Sequence, residues 1–222
     1  MNKSVKIAIA LMAALMVFTF SACQSDESTR LSELSVGQEN VKFGAYTWRV
    51  LDVQDGKALL ITEDILDMMR FNEDYEEVVW ADSTMREYLN GDFLNENFSL
   101  EEQARIVEVT NTTPDNAWFG TEGGPDTQDK IFLLSIEEVV KYFGDSGQLA
   151  NGNPDSSYSI DDEYSKNRIA QYDDANERWW LRSSGIEPEF TAMVARCGML
   201  EVGGYFAEKR EGLRPSLWIT LD

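Results

Sequence analysis

The chain contains no histidine and only two cysteines, Cys23 and Cys197. Without histidine there is no Ser-His-Asp or Cys-His catalysis, and zinc, copper and non-haem iron sites lose their commonest ligand. The chemistry that remains rests on carboxylates, on lysine or tyrosine bases, and on hard cations held by oxygen ligands. Basic residues are scarce as well: 19 Lys and Arg face 40 Asp and Glu, for a net charge of −21. A surface this acidic repels phosphate backbones and anionic headgroups, which argues against nucleic acid as a partner. Long apolar runs are missing apart from Ile7 to Phe20, and that run is shorter than a bilayer crossing, which takes about 20 residues.

The run follows Lys3 and Lys6 and leads into Phe20-Ser21-Ala22-Cys23. A basic start, an apolar stretch and small residues before a cysteine have the form of a bacterial lipoprotein signal, with Phe20 standing where leucine is usual. On this reading residues 1–22 are a signal peptide and Cys23 carries the lipid. Residues 23–35, beginning with the polar Gln24-Ser25-Asp26-Glu27, form a flexible tether, and residues 36–222 form one domain. The chain is then expected on the extracytoplasmic face of a cell membrane, touching it through the lipid alone. Cys197 is left without a partner for an intrachain disulfide. An apolar core must therefore supply the stability, and six tryptophans with 43% apolar residues suffice for one.

Local signals give the elements. Phe43 to Val53 and Lys57 to Thr62, rich in β-branched and aromatic residues, flank Asp55-Gly56, which predicts a hairpin. Three capping boxes, at Thr84, Ser99 and Ser135 with a glutamate three residues on, predict three short helices, the last closed by Gly144. Strands return at Arg178–Leu181, Phe190–Arg196, Met199–Phe206 and Leu217–Leu221. Two long stretches, Thr110 to Asp129 and Asp145 to Glu177, lack periodicity, and loops of such length are often functional. The fold class expected is α+β, a mostly antiparallel sheet with short helices and long loops.

Four blocks carry a family resemblance: Phe43-Gly44-Ala45-Tyr46-Thr47-Trp48-Arg49-Val50-Leu51-Asp52; Trp80 with Ser83-Thr84-Met85-Arg86-Glu87-Tyr88-Leu89-Asn90; Trp179-Trp180-Leu181-Arg182-Ser183-Ser184-Gly185; and Gly212-Leu213-Arg214-Pro215-Ser216-Leu217-Trp218-Ile219. In this order they resemble the DUF6273 domain of bacterial surface and secreted proteins, from about residue 41 to the C-terminus, with Ser184 in place of a usual proline. The closing pattern, including Val194 to Gly198, is also similar to the C-type-lectin-like fold shared with formylglycine-generating enzymes. That resemblance implies a platform whose loops vary while its core strands persist. The enzyme's cysteine pair is absent, since Cys197 stands alone.

Candidate sites follow from the long loops. Trp118-Phe119-Gly120 either tucks its loop onto the core or forms an exposed contact patch, and Tyr158, Tyr164 and Tyr172 in the second loop could complete a ligand-binding surface. Asn153, Asp155, Asp161 and Asp162 offer oxygen ligands at a spacing that Ca²⁺ could use, although Ser156 replaces the glycine an EF-hand needs. Glu187-Pro188-Glu189 is similar to the Glu-Pro-Asn triplet of sugar-binding lectins but has no Trp-Asn-Asp partner. Trp179-Trp180 and Arg214 read better as core and as a buried backbone-bonding or ion-paired residue than as ligand contacts. No catalytic residue is assigned and no cofactor is required. The expectation is a non-enzymatic, lipid-anchored surface module recognising a peptide, protein or glycan. The alternatives are a glycan-acting hydrolase using two carboxylates and a structural envelope protein.

Overall fold

The computed structural model describes residues 31–152 and 158–221. The stretch read as a signal peptide, Cys23, the first part of the stretch read as a tether, Asn153 and Asp155 lie outside the described residues. Among the described residues no helix is long and apolar enough to cross a membrane.

Along the chain, β1 (Val41–Phe43) turns at Gly44 into β2 (Tyr46–Gln54), and β2 turns at Asp55 and Gly56 into β3 (Lys57–Thr62). Asp55 and Gly56 have φ of 49° and 70°, the paired left-handed conformation of a type I′ hairpin. After β4 (Asp67–Arg70) come α1 (Thr84–Tyr88), a π turn over Leu89–Phe93, α2 (Leu94–Asn97) and α3 (Leu100–Arg105). Next are β5 (Ile106–Val107), β6 (Val109–Asn111), β7 (Thr127–Asp129), β8 (Ile131–Phe132), α4 (Ile136–Phe143) and α5 (Gln148–Asn151). The rest is strand: β9 (Ser159–Ile160), β10 (Ala170–Tyr172), β11 (Ala175–Glu177), β12 (Trp179–Ser184), β13 (Phe190–Val194), β14 (Leu200–Phe206), β15 (Arg210–Leu213) and β16 (Ser216–Thr220).

The helices start where hydroxyls can cap them. Ser99 and Ser135 form complete capping boxes with Glu102 and Glu138. The first helix is capped one residue earlier than its spacing predicts: Ser83 accepts the Arg86 N–H, while the Thr84 hydroxyl accepts the N–H of Glu73 instead. In α4 Ile136, Val139, Val140 and Phe143 are buried, the three-and-four spacing of one helical face.

Six strands form one sheet in the order β1-β2-β3-β16-β5, with β8 also on β16, and six form another in the order β4-β15-β12-β13-β14-β9. All pairings are antiparallel except β12 with β15. The architecture is thus α+β and mostly antiparallel. Folded contacts begin earlier than residue 36, within the stretch read as tether: Leu31–Glu33 makes a 3-10 turn and Leu34 is buried, because Gly37 and Gln38 exchange backbone hydrogen bonds with Val50 and bring that segment onto β2.

Trp48, Trp80, Trp179 and Trp180 have no exposed surface. Each buried indole N–H has an acceptor: Phe43 O, Asp129 Oδ2, Arg168 O and Met69 O respectively, at 2.8 to 3.0 Å. Adjacent Trp179 and Trp180 point to opposite faces of β12, and because both faces of that central strand are covered, both are core.

The two sheets exchange the chain at one corner, where β3 leads to β4 and β15 leads to β16. Thr62 N donates to Pro215 O at 3.1 Å and Leu66 N to Leu213 O at 2.9 Å, which lays the two connections side by side. Arg214, wholly buried, crosses between them: Nε donates to Thr62 O and Nη2 to Glu63 O, both at 3.0 Å. Its guanidinium lies 4.9 Å from the Trp179 ring centre and 5.7 Å from that of Phe143. Burial, and then Arg49, lower its pKa to about 9 against the pull of Glu63 and Asp64, so it stays charged at neutral pH. Arg214→Leu leaves two buried carbonyls without donors, each costing about 1–3 kcal/mol. We expect a loss of about 3 kcal/mol in urea unfolding, with Arg214→Lys recovering less than half because one ammonium cannot reproduce the planar fork. An unchanged unfolding midpoint in the leucine variant would show that the corner holds without the cation.

Candidate binding site

The first long loop, between β6 and β7, is organised by Asn116. Its side chain is buried and fully used: Nδ2 donates to Ser184 O at 2.8 Å and Val202 O at 2.9 Å, while Oδ1 accepts from the N–H groups of Trp118 and Phe119. An asparagine accepting from the residue two ahead is a local turn device, and here the same side chain also ties the turn to β12 and β14. Arg182 Nη2 donates to Thr112 O, Thr121 Oγ1 to Ile186 O, and Ser184 Oγ to Glu122 O, so the loop is held to the second sheet along its length.

This anchoring packs both aromatics, half-buried, against the core, with ring centres 6.4 Å apart. Trp118 donates its indole N–H to Leu149 O at 3.0 Å. Phe119 lies beside Tyr158, with ring centres 5.9 Å apart. Tyr158 is 59% exposed, and it sits over Gly203, whose missing side chain leaves room for its Cβ. Three of the five predicted aromatics therefore meet. The other two do not join them: the Tyr164 ring covers Gly144 at the end of α4, and Tyr172 lies on the β10–β11 hairpin beside Asp64 and Asp174. Chain neighbourhood within one loop placed them together, but the short elements α5, β9 and β10 within that stretch carry them to different faces.

Phe119 forms one wall of a groove of about 490 Å³, with Gly120 and Thr121 beside it. Val78, Val79 and Pro188 make its floor, and the Val78 N–H donates to Pro188 O at 3.0 Å, joining the two segments. Glu77, Asp82 and Glu122 bring carboxylates to the lining, and no lysine or arginine lines it. The pocket size falls in the range of sites for small ligands or single side chains. Sequence reasoning reached Phe119 but missed the floor and the acids, because neither the 77–82 segment nor Pro188 carries a local signal of facing that loop.

The acidic stretch proposed for calcium is arranged differently. Asp162 Oδ2 accepts from Arg168 at 2.9 Å and from Ser146, and Oδ1 accepts the Tyr164 N–H; the side chains of Asp162 and Arg168 are 1% and 0% exposed. Asp161 accepts from Ser165. The Arg168 guanidinium is thus the cation paired with Asp162, and among the described residues no three His, Cys, Asp or Glu side chains come together as a metal-ligand group. Two further carboxyls, Glu201 and Glu211, have pKa values pushed up by burial and opposed by Arg178. Neither lines the groove.

A family model described as "Domain of unknown function (DUF6273)" matches residues 55–221. No curated protein and no solved structure matches the chain. The match starts in the β2–β3 turn, whereas the folded unit includes β1 and β2, whose Trp48 is fully buried.

Two outcomes check this geometry. Asn116→Ala strands two loop N–H groups and two strand carbonyls, for an expected loss of about 2–4 kcal/mol and faster amide exchange over residues 117–122; unchanged exchange there would mean the loop is held by other contacts. For Asp162, burial pushes the pKa up, but hydrogen bonds from Arg168 and Ser146 outweigh it and hold the carboxyl below its usual range. A lowered folded pKa contributes stability above the unfolded value that is lost as pH falls through the folded one. Asp162→Asn should thus be less stable at neutral pH and converge with the parent in acid, and parallel stability curves in urea unfolding across pH would refute the assignment.

Proposed function

Since the chain belongs to the DUF6273 family, a domain whose description assigns no activity, we propose from its groove that it is a binding module recognising a peptide, protein or glycan. The observation that carries this reading is the pairing of a rigidly held loop, whose half-buried Phe119 lines a groove, with the exposed Tyr158 beside it. Pre-ordered loops lower the entropy cost of binding, and exposed aromatics on a fixed backbone are the usual anchors of recognition surfaces. We read the frame more finely as C-type-lectin-like, with loops packed on an antiparallel core carrying the tryptophan strand β12. The Phe20-Ser21-Ala22-Cys23 sequence supports a lipid on Cys23 that tethers the module to the outer face of a membrane. A two-carboxylate hydrolase is disfavoured because the acids with raised pKa values lie away from the groove, and the concave aromatic-walled surface weighs against a purely structural role.

A thermal-shift screen of the protein against oligosaccharide and peptide panels, run in parallel on Phe119→Ala, tests this. A ligand at a hundredfold excess over its Kd stabilises by about 2.7 kcal/mol, or roughly 5–10 °C for a domain of this size. The expected result is a shift of that order in the parent that is mostly lost in the variant. A panel in which no ligand shifts the parent, or in which every shift survives the loss of Phe119, overturns the reading.

A further inference from the structure

The groove's occupant can be narrowed from its charge and its floor. Glu77 and Asp82 reach it from the segment before α1 and Glu122 from the loop opposite, and among the described residues none of the three carboxylates has an ion pair or a side-chain hydrogen bond. The arginine nearest in sequence, Arg86, is already committed, donating to Asp129 Oδ1 at 2.7 Å and to Ala81 O at 3.0 Å. Three carboxylates around a concave apolar surface, without a base among them, are complementary to a positive charge. The floor adds chemistry that acids alone would lack. Val78, Val79 and Pro188 suit the methylene stem of lysine or arginine, and the half-buried Phe119 ring in the same lining adds an aromatic contact for the cationic head.

Aromatics continue past both ends of the groove. The exposed Tyr158 lies beside Phe119, and on the side of Pro188 the half-buried Phe190 packs on the half-buried Phe206 at 4.3 Å and Phe206 on Tyr75 at 5.8 Å, with Tyr75 63% exposed. A surface of that reach exceeds what one small amine would cover and fits an extended chain. Resting on the binding-module reading, we propose that the groove docks a basic peptide segment, with a lysine or arginine side chain laid along Val78 and Pro188 and its charge among Glu77, Asp82 and Glu122.

The probe is pentalysine, titrated calorimetrically into the protein at low salt, with an uncharged pentapeptide and a neutral oligosaccharide alongside. Four proteins are compared: the parent, Phe119→Ala, a groove variant (Glu77→Gln, Asp82→Asn, Glu122→Gln) and a control that removes equal charge elsewhere (Glu108→Gln, Asp173→Asn, Asp174→Asn). All six charged positions are exposed, and cooperative thermal unfolding of each shows that all four proteins are folded. Pentalysine is expected to bind the parent, to lose about tenfold or more in affinity for the groove variant, and to lose at most about threefold for the control. Equal losses in both charge variants would assign the binding to diffuse charge and overturn the proposal, as would no binding to the parent. A neutral peptide or sugar that binds in a Phe119-dependent way while pentalysine does not overturns the cationic assignment and leaves the binding module standing. If no probe depends on Phe119, both fall.

Discussion

A buried cation without a carboxylate at hydrogen-bonding distance holds the corner on which the rest of the fold is hung. Arg214 bonds the carbonyls of Thr62 and Glu63, and so fixes where the first sheet passes to the second. Its guanidinium stacks near Trp179, the first residue of β12. From there the order propagates by further buried polar contacts. Arg182 on β12 donates to Leu133 O at 2.7 Å and pairs with Glu138, whose carboxylate also caps α4. Ser184, at the far end of β12, offers its carbonyl to Asn116. The orientation of Phe119 is therefore the last step of a path of hydrogen bonds that starts at the sheet corner. Apolar packing alone would bury the same area without fixing that loop, because it is non-directional.

The blocks that make the sequence recognisable are the parts of this framework. Trp80 and Arg86 both bond Asp129, while Asn90 clamps Lys130 and Ile131 through three hydrogen bonds and donates a fourth to Arg86 O. Trp179, Trp180 and Arg182 form the central strand, and Arg214 the corner. Glu77, Val78, Asp82, Glu122 and Pro188 fall outside every block. The blocks thus coincide with the frame, and none of them contains a residue of the groove lining.

Local chemistry was readable and long-range pairing was not. Asp55-Gly56 specifies its own hairpin because both residues tolerate left-handed backbone, and Ser99 and Ser135 specify helix starts through partners three residues away. Ser83 displaced Thr84 as a cap for a reason that lies outside the helix, since Thr84 is engaged by Glu73 across the preceding turn. Arg86 with Asp129, Asn116 with Val202 and Arg214 with Thr62 join residues 43, 86 and 152 apart, and no spacing rule connects them. The grouping of the aromatics was legible only in part, for the same reason. Phe119 and Tyr158 meet only because both segments cross the same edge of the second sheet, while Tyr164, six residues from Tyr158, is turned away by its packing on Gly144.

Charge follows one economy throughout. Acids outnumber bases by more than two to one, and most arginines are committed internally: Arg49 to Glu39 and Glu63, Arg86 to Asp129, Arg168 to Asp162, Arg182 to Glu138, Arg178 to Glu211, Arg196 to Glu177. Unpaired carboxylates on the surface are then the arithmetic remainder, and their presence at any one place means little. What sets Glu77, Asp82 and Glu122 apart is the set of apolar side chains between them. All three are exposed, so they act through water and are screened over about 8–10 Å like the other surface acids. A cation would therefore discriminate between this groove and the rest of an acidic surface by the floor of Val78, Val79 and Pro188 and the ring of Phe119, with the carboxylates supplying the sign of the charge.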